Sequence, residues 1–106
     1  MGTIVEKKDE HILVCLSSSP TNKKIISTAA KMAGVFHARF TALYVQTGAE
    51  TISADKERLE AHIRYAEESG AEIVMTHGED VALQIAEYAH LSGVTKIVIG
   101  QSSVIK

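Results

Sequence analysis

The stretch HILVCLSSSP, His11 to Pro20, turns from a buried strand into a polar turn. Its apolar run ILVCL, residues 12–16, is too short for a typical helix, and such continuous apolarity favours a strand covered on both faces of a parallel sheet. Similar runs follow at 40–45 (FTALYV), 72–76 (EIVMT) and 96–99 (KIVI). The sequence therefore predicts four strands, β1 to β4 in chain order.

The segments between these strands carry apolar residues at helical spacing. They run over 20–36, 53–69 and 79–92 and predict helices α1, α2 and α3. On α1, the spacing places Ile26, Ala29, Ala33 and Phe36 on one inward face. Strands and helices that alternate in this way form right-handed units, so we expect an α/β fold with a doubly wound parallel sheet, β1-α1-β2-α2-β3-α3-β4.

The ends of the predicted helices also have sequence signals. Gly70 and Gly93 follow α2 and α3 where helices commonly end with a residue in the left-handed region, and His37 occupies that place after α1. Ser19 and Pro20 match the preferences for the N-cap and for the first helical position of α1.

Length and composition indicate one domain. A chain of 106 residues suits a single core, and we expect a flexible arm or linker at 1–9 before a domain at 10–106. Only six residues follow Gly100, too few for another helix and strand, so the domain is expected to be truncated before its last helix and strand. The single cysteine, Cys15, cannot form an internal disulfide, which suits the cytoplasm.

Several function classes have no support in the sequence. The net charge of -2 gives no general signature of nucleic-acid binding. The five histidines fall on different elements without metal-ligand spacing, and no apolar run approaches the roughly 20 residues of a membrane span. No pairing of a nucleophile with a base emerges, so we expect no catalytic residue, no metal, no nucleic acid and no membrane contact.

The carboxyl edge of the predicted sheet is where a ligand is expected, since open parallel sheets bind ligands there. Ser17, Ser18 and Ser19 follow β1 at this edge, and Gly100 follows β4. One hydroxyl is enough to cap a helix, so Ser17 and Ser18 are either polar loop residues or ligand contacts. The amino end of α1 favours a phosphate, and Lys23 in its first turn adds positive charge.

Three stretches, ILVCLSSSP, ARFTALYV and VTKIVIG, resemble in this order the universal stress protein family, over roughly residues 11–103. More narrowly, GEDVALQIAEYA and VTKIVIGQS resemble the universal-stress-protein-like domain of the Kdp potassium-sensing histidine kinases. This resemblance implies a regulatory cytoplasmic domain of a membrane-bound sensor kinase that controls potassium uptake. The other domains of that kinase would be its protein partners.

A ligand pattern accompanies this resemblance. Kdp kinases that bind cyclic di-AMP carry S-x-S, twenty residues, and then F-T-A-x-Y; here Ser17–Ser19 is followed by 20–39 and then FTALY at 40–44. The resemblance thus implies cyclic di-AMP as ligand, with no cofactor, at the carboxyl ends of β1 and β2. The predicted binding residues are Ser17, Ser18, Ser19, Phe40, Thr41, Ala42, Tyr44, Lys23 and Gly100. Tyr44 is nearest the carboxyl end and is predicted to stack on adenine.

Two alternatives remain open. ATP-binding members of the superfamily carry an aspartate just after β1 and the pattern G-x-x-G-x9-G-[ST] after β4. Leu16 and Ser17 stand where that aspartate is expected; Gly100 matches the first glycine, but Ser103 replaces the second. The chain could still be an ATP-binding universal stress protein, or an interaction module that docks within a kinase or forms a homodimer.

Overall fold

The computed structural model describes residues 10–48 and 53–100. The elements are β1 (His11–Cys15), α1 (Asn22–Phe36), β2 (Arg39–Gln46), α2 (Ser53–Glu68), β3 (Glu72–His77), α3 (Val81–Leu91) and β4 (Lys96–Val98). This order confirms the predicted α/β class. The predicted arm at 1–9 and the position of Ser103 lie outside the described residues.

Within residues 10–48 and 53–100, the sheet has four parallel strands in the order β3-β2-β1-β4. From β1 the chain steps to β2 and β3 in one direction, and then α3 carries it back across to the other side of β1. Helices α1 and α2 pack on one face of the sheet, around Ile12 and Val14, whereas α3 packs on the other, around Leu13 and Leu43. The connections therefore diverge between β1 and β4, which is the topological switch point where such sheets bind ligands.

The core lies along β1. Ile12, Leu13 and Val14 have no exposed surface. Ile26 and Ala29 of α1 are buried against Ile12 and Val14, whereas Leu13 faces α3. Complete burial of a large aliphatic side chain stabilises a fold by about 1.5–3 kcal/mol, so β1 fixes the sheet on which the loops are mounted.

The prediction that both faces of every strand are covered is wrong for β3 and β4. In the part of the chain that the structure describes, these strands lie at the two edges of the sheet, and Met75 and Ile97 are 52% and 42% exposed. Helix α3 likewise buries none of its residues fully, since it covers only part of its face of the sheet. The spacing of apolar residues predicts which face of a strand or helix points inward, but it does not predict how much of that face is buried.

The inward position predicted for Phe36 is also wrong. Phe36 is the last residue of α1, is 43% exposed, and lies beside the first residue of β4, where the Lys96 ammonium sits 4.7 Å from the centre of its ring. A cation placed over an aromatic ring is attracted by its negative face. Phe36 therefore packs against a lysine at the rim rather than within the core.

The predicted helix ends are confirmed. His37 adopts φ 52° and ψ 47° and donates its backbone N–H to the last turn of α1, and Gly70 and Gly93 have φ of 99° and 69°. Among residues 10–48 and 53–100, none of the helices has both the length and the apolarity to cross a membrane.

Candidate functional site

The chain passes from β1 to α1 through a turn rather than directly into the helix. Thr21, with φ -88° and ψ -2°, precedes the first helical residue, and the N–H of Asn22 donates to the carbonyl of Ser19 at 3.0 Å. These angles are those of the third residue of a type I turn, which favours proline at the second residue. The N-cap prediction for Ser19 is therefore wrong, because Pro20 serves this turn and the helix begins two residues later.

We call residues 17–19 the serine loop; one buried side chain fastens it to β1. The Asn22 side-chain Oδ1 accepts from the N–H of Ser17 at 3.2 Å, and its Nδ2 donates to the carbonyl of Cys15 at 3.0 Å. Asn22 is only 2% exposed. A buried amide with both ends satisfied holds its partners in one geometry, so Asn22 sets the direction in which the loop leaves the strand.

Helix α2 fastens the same loop from the other side. His62 Nδ1 donates to the carbonyl of Ser17 at 2.8 Å, and Arg58 Nη1 donates to the carbonyl of Ser18 at 3.0 Å. His62 is buried. These contacts join residues 45 and 40 positions apart, and no local signal in the sequence predicts them.

Two cavities flank the serine loop. The switch-point cavity, about 270 Å³, lies between the carboxyl ends of β1 and β4 and is lined by Ser17, Ser19, Thr21 and Gly100 among others. The β1/β2 cavity, about 260 Å³, is lined by Ser17, Ser18 and Tyr44 among others. Both share Cys15, Leu16, Ser17, Val81 and Ile85. Because these five residues border both, the two cavities are adjacent, and each is slightly smaller than the roughly 300–1,000 Å³ of small-molecule sites.

The structure brings together Ser17, Ser18, Ser19, Tyr44 and Gly100 around these two cavities. The other predicted residues lie elsewhere. Phe40, Thr41 and Ala42 are buried within β2 and line neither cavity. Lys23 is exposed on α1 and reaches toward α2, with its ammonium 4.9 Å from the centre of the Tyr65 ring.

Thr41 has a hydroxyl that is already occupied. It forms a 2.8 Å hydrogen bond with Nε2 of His11, which is 2% exposed and whose Nδ1 donates to the carbonyl of Ser92 at 3.0 Å. With Nδ1 donating, the neutral ring accepts at Nε2, so Thr41 is the donor. A direct contact between Thr41 and a ligand stays a prediction; its observed role is to satisfy a buried histidine.

Cys15 lies where the two cavities meet, but its thiol is not activated. Burial raises the pKa of the Cys15 thiol to about 11, so the group is protonated at neutral pH. Thiols act as nucleophiles in the thiolate form. Cys15 therefore forms part of the cavity wall rather than a reactive centre.

The architecture and this carboxyl-edge site define a universal stress protein fold. The structure of a universal stress protein family member from Burkholderia pseudomallei matches with a TM-score of 0.70 and 25% identity, covering 87% of this chain and 81% of that one. The universal stress protein from Archaeoglobus fulgidus, in complex with dAMP, matches with a TM-score of 0.59 and 22% identity, covering 86% of this chain and 80% of that one. No family model matches the chain.

In sequence, the chain is similar to the sensor protein KdpD of Clostridium acetobutylicum. The two are 47% identical over 100 residues, which is 94% of this chain. The chain spans 11% of the length of that curated relative. It is therefore a homologue of one segment of a KdpD sensor protein, built on the universal stress protein fold.

Proposed function

We propose that this chain is the regulatory nucleotide-binding domain of a KdpD-type sensor kinase and that it binds cyclic di-AMP. The observation that carries the proposal is the convergence of Ser17, Ser18, Ser19 and Tyr44 on two adjacent cavities at the carboxyl ends of β1 and β2. The identity to KdpD supports the sensor assignment, and the dAMP complex of the Archaeoglobus fulgidus protein supports an adenine nucleotide.

The serine loop would bind phosphate or ribose. Ser17 and Ser19 line the switch-point cavity beside the first residues of α1. Their hydroxyls now bond within the turn, to the N–H of Ser19 and to Thr21, and would turn to the ligand on binding. The positive end of the α1 dipole favours an anion there. The N–H groups of Thr21, Asn22 and Lys24 are bonded within the turn, so the anion would interact mainly with the dipole and the serine hydroxyls. Lys23 would add positive charge from its place over Tyr65, without direct contact.

The adenine would lie against Tyr44 in the β1/β2 cavity. That cavity has apolar walls from Leu59, Val81 and Ile85, and stacking of a base on an aromatic ring contributes about 1–3 kcal/mol. Phe40 and Ala42 share the Tyr44 face of β2 and pack in the core. They would act indirectly, by holding the strand that positions Tyr44.

Binding would regulate a kinase that controls potassium uptake, with this domain in the cytoplasm and its parent protein in the membrane. Arg58 and His62 join the carbonyls of the serine loop to α2. A ligand that changes the loop would therefore act on α2, whose outer surface carries exposed charges such as Glu57 and Arg64. That surface would contact the other domains of the kinase.

Isothermal titration calorimetry with cyclic di-AMP and with ATP tests the proposal. Ser19 is exposed, and its hydroxyl bonds only within the turn, to Thr21, so Ser19→Ala is expected to fold normally. A hydrogen bond to a charged group contributes about 1.5–3 kcal/mol, so Ser19→Ala should weaken cyclic di-AMP binding about tenfold or more. Thr28→Ala, which removes an exposed hydroxyl on α1 that bonds to Lys24, is the matched control and should bind unchanged.

The alternative candidate is an ATP-binding domain, and the position of Gly100 favours it. Gly100, which matches the first glycine of the ATP-binding pattern, lines the switch-point cavity. ATP binding tighter than that of cyclic di-AMP would support this candidate over the first. If neither nucleotide binds and the chain self-associates, an interaction module or homodimer is the better account.

A further inference from the structure

A third cavity lies beside the proposed nucleotide site, and no predicted binding residue except Tyr44 belongs to it. This β2/β3 groove, about 390 Å³, lies between the carboxyl ends of β2 and β3 and helix α2. Tyr44 and Leu59 line both this groove and the β1/β2 cavity. Tyr44 and Leu59 therefore lie between two adjacent spaces.

The groove has the chemistry of a site for a planar base. Ile63 and Met75 give it an apolar floor, and the exposed side chains of Gln46, Lys56 and Glu60 give it a polar rim. A carboxamide offers one donor and one acceptor side by side, the pattern that pairs with the amino group and N7 of adenine. Lys56 has no ion pair within the described part of the chain, so its ammonium is available to a phosphate.

We infer that this groove binds the second adenine of the same cyclic di-AMP molecule, with Tyr44 between the two bases. The inference rests on the proposed function and adds to it a second base site and a stoichiometry. The β1/β2 cavity alone, about 260 Å³, suits one base, whereas a cyclic dinucleotide carries two bases on one ring of phosphates and sugars. A single domain that binds both adenines needs a space on each side of a shared side chain. Tyr44 lies between two such spaces.

Selective loss of dinucleotide affinity tests this inference. Gln46→Ala removes the amide, and Lys56→Gln removes the charge; both side chains are exposed, so neither change should affect folding. Lys31→Gln removes the same charge from the exposed outer face of α1 and is the matched control. Calorimetry of the 106-residue chain with cyclic di-AMP and with AMP gives the affinities and the number of ligands per chain.

The expected result is one cyclic di-AMP per chain, with affinity about tenfold lower in Gln46→Ala and in Lys56→Gln, since a well-placed polar pair to a base contributes about 1–3 kcal/mol. AMP affinity should stay within about twofold in both variants, and Lys31→Gln should match the unmodified chain. Three results would refute binding of the second adenine in the groove but leave the proposed function standing. They are unchanged cyclic di-AMP affinity in both variants, an equal loss of affinity for AMP, and one ligand bound per two chains. Absence of cyclic di-AMP binding by the unmodified chain would refute both.

Discussion

Replacing Asn22 by alanine should destabilise the domain, because this one side chain satisfies two backbone groups at the end of β1. The substitution leaves the N–H of Ser17 and the carbonyl of Cys15 without the partners they have at 3.2 and 3.0 Å. Each unsatisfied group costs about 1–3 kcal/mol. Both groups lie beside the cavities of the carboxyl edge, where water can replace part of the lost bonding, so we expect about 2–4 kcal/mol in total.

Urea unfolding followed by circular dichroism measures this loss. With a denaturant slope of about 2 kcal/mol per molar, the midpoint should fall by about 1–2 M without a change in slope. Thr28→Ala on the exposed side of the same helix should stay within about 0.5 kcal/mol of the unmodified domain. Asn22→Asp keeps the volume and the acceptor but loses the donor and places a carboxylate oxygen against the Cys15 carbonyl, so a large loss of stability is expected although the packing is unchanged.

A free energy of unfolding for Asn22→Ala within about 0.5 kcal/mol of that of the unmodified domain would refute the reasoning. It would mean that the two backbone groups find equivalent partners without Asn22 and that the serine loop is not held by it. Stability of Asn22→Asp equal to that of the unmodified domain would show that packing, not the hydrogen bond donated to Cys15, is what matters at this position.

Two further predictions concern buried polar groups. Thr41→Val keeps the side-chain shape but leaves Nε2 of His11 without its donor, so the free energy of unfolding should fall by about 1–3 kcal/mol; an unchanged urea midpoint would contradict the bond. Burial raises the pKa of the Cys15 thiol from 9.0 to about 11, so above pH 9 the unfolded chain loses a proton that the folded state retains. The contribution of Cys15 to the free energy of unfolding should therefore be fully present below about pH 9 and be lost between about pH 9 and 11. Cys15→Ala should lack this part of the decline, and identical pH profiles for the two proteins would contradict the prediction.

The fold was predictable because its signals are local. The run ILVCL and the helical spacing of Ile26, Ala29 and Ala33 depend on a few neighbouring residues, and each sits where its pattern indicates. The left-handed ends at His37 and Gly70 follow for the same reason, since a short segment decides them.

The start of α1 was less predictable because one sequence satisfies two local structures. Proline at position 20 suits the first position of a helix and equally the second position of a type I turn. The side chain of Asn22 decides between them, since it reaches back to Cys15 and Ser17. The preferences of Ser19 and Pro20 contain no information about that contact.

The candidate site was predictable in its position but not in its support. The carboxyl ends of parallel strands share one edge, so the serines and Tyr44 could be placed together from sequence order alone. The contacts from Arg58 and His62 required knowing how α2 lies against the loop. The extent of each cavity depends in the same way on the packing of helices, which helical spacing does not specify.

Among the strands of the described residues, β1 comes first in the sequence, but its pairing is completed last. β1 pairs with β2 after a single helix, but its other edge pairs with β4, and the N–H of His11 meets Thr95 across 84 residues. Contacts of such high sequence separation close slowly, because a long loop must be ordered before they form. During synthesis, one edge of the most apolar strand therefore waits unpaired until β4 emerges. An unpaired strand edge can pair with another chain and start aggregation. Slow synthesis near β4 would therefore prolong the time in which the edge of β1 can aggregate.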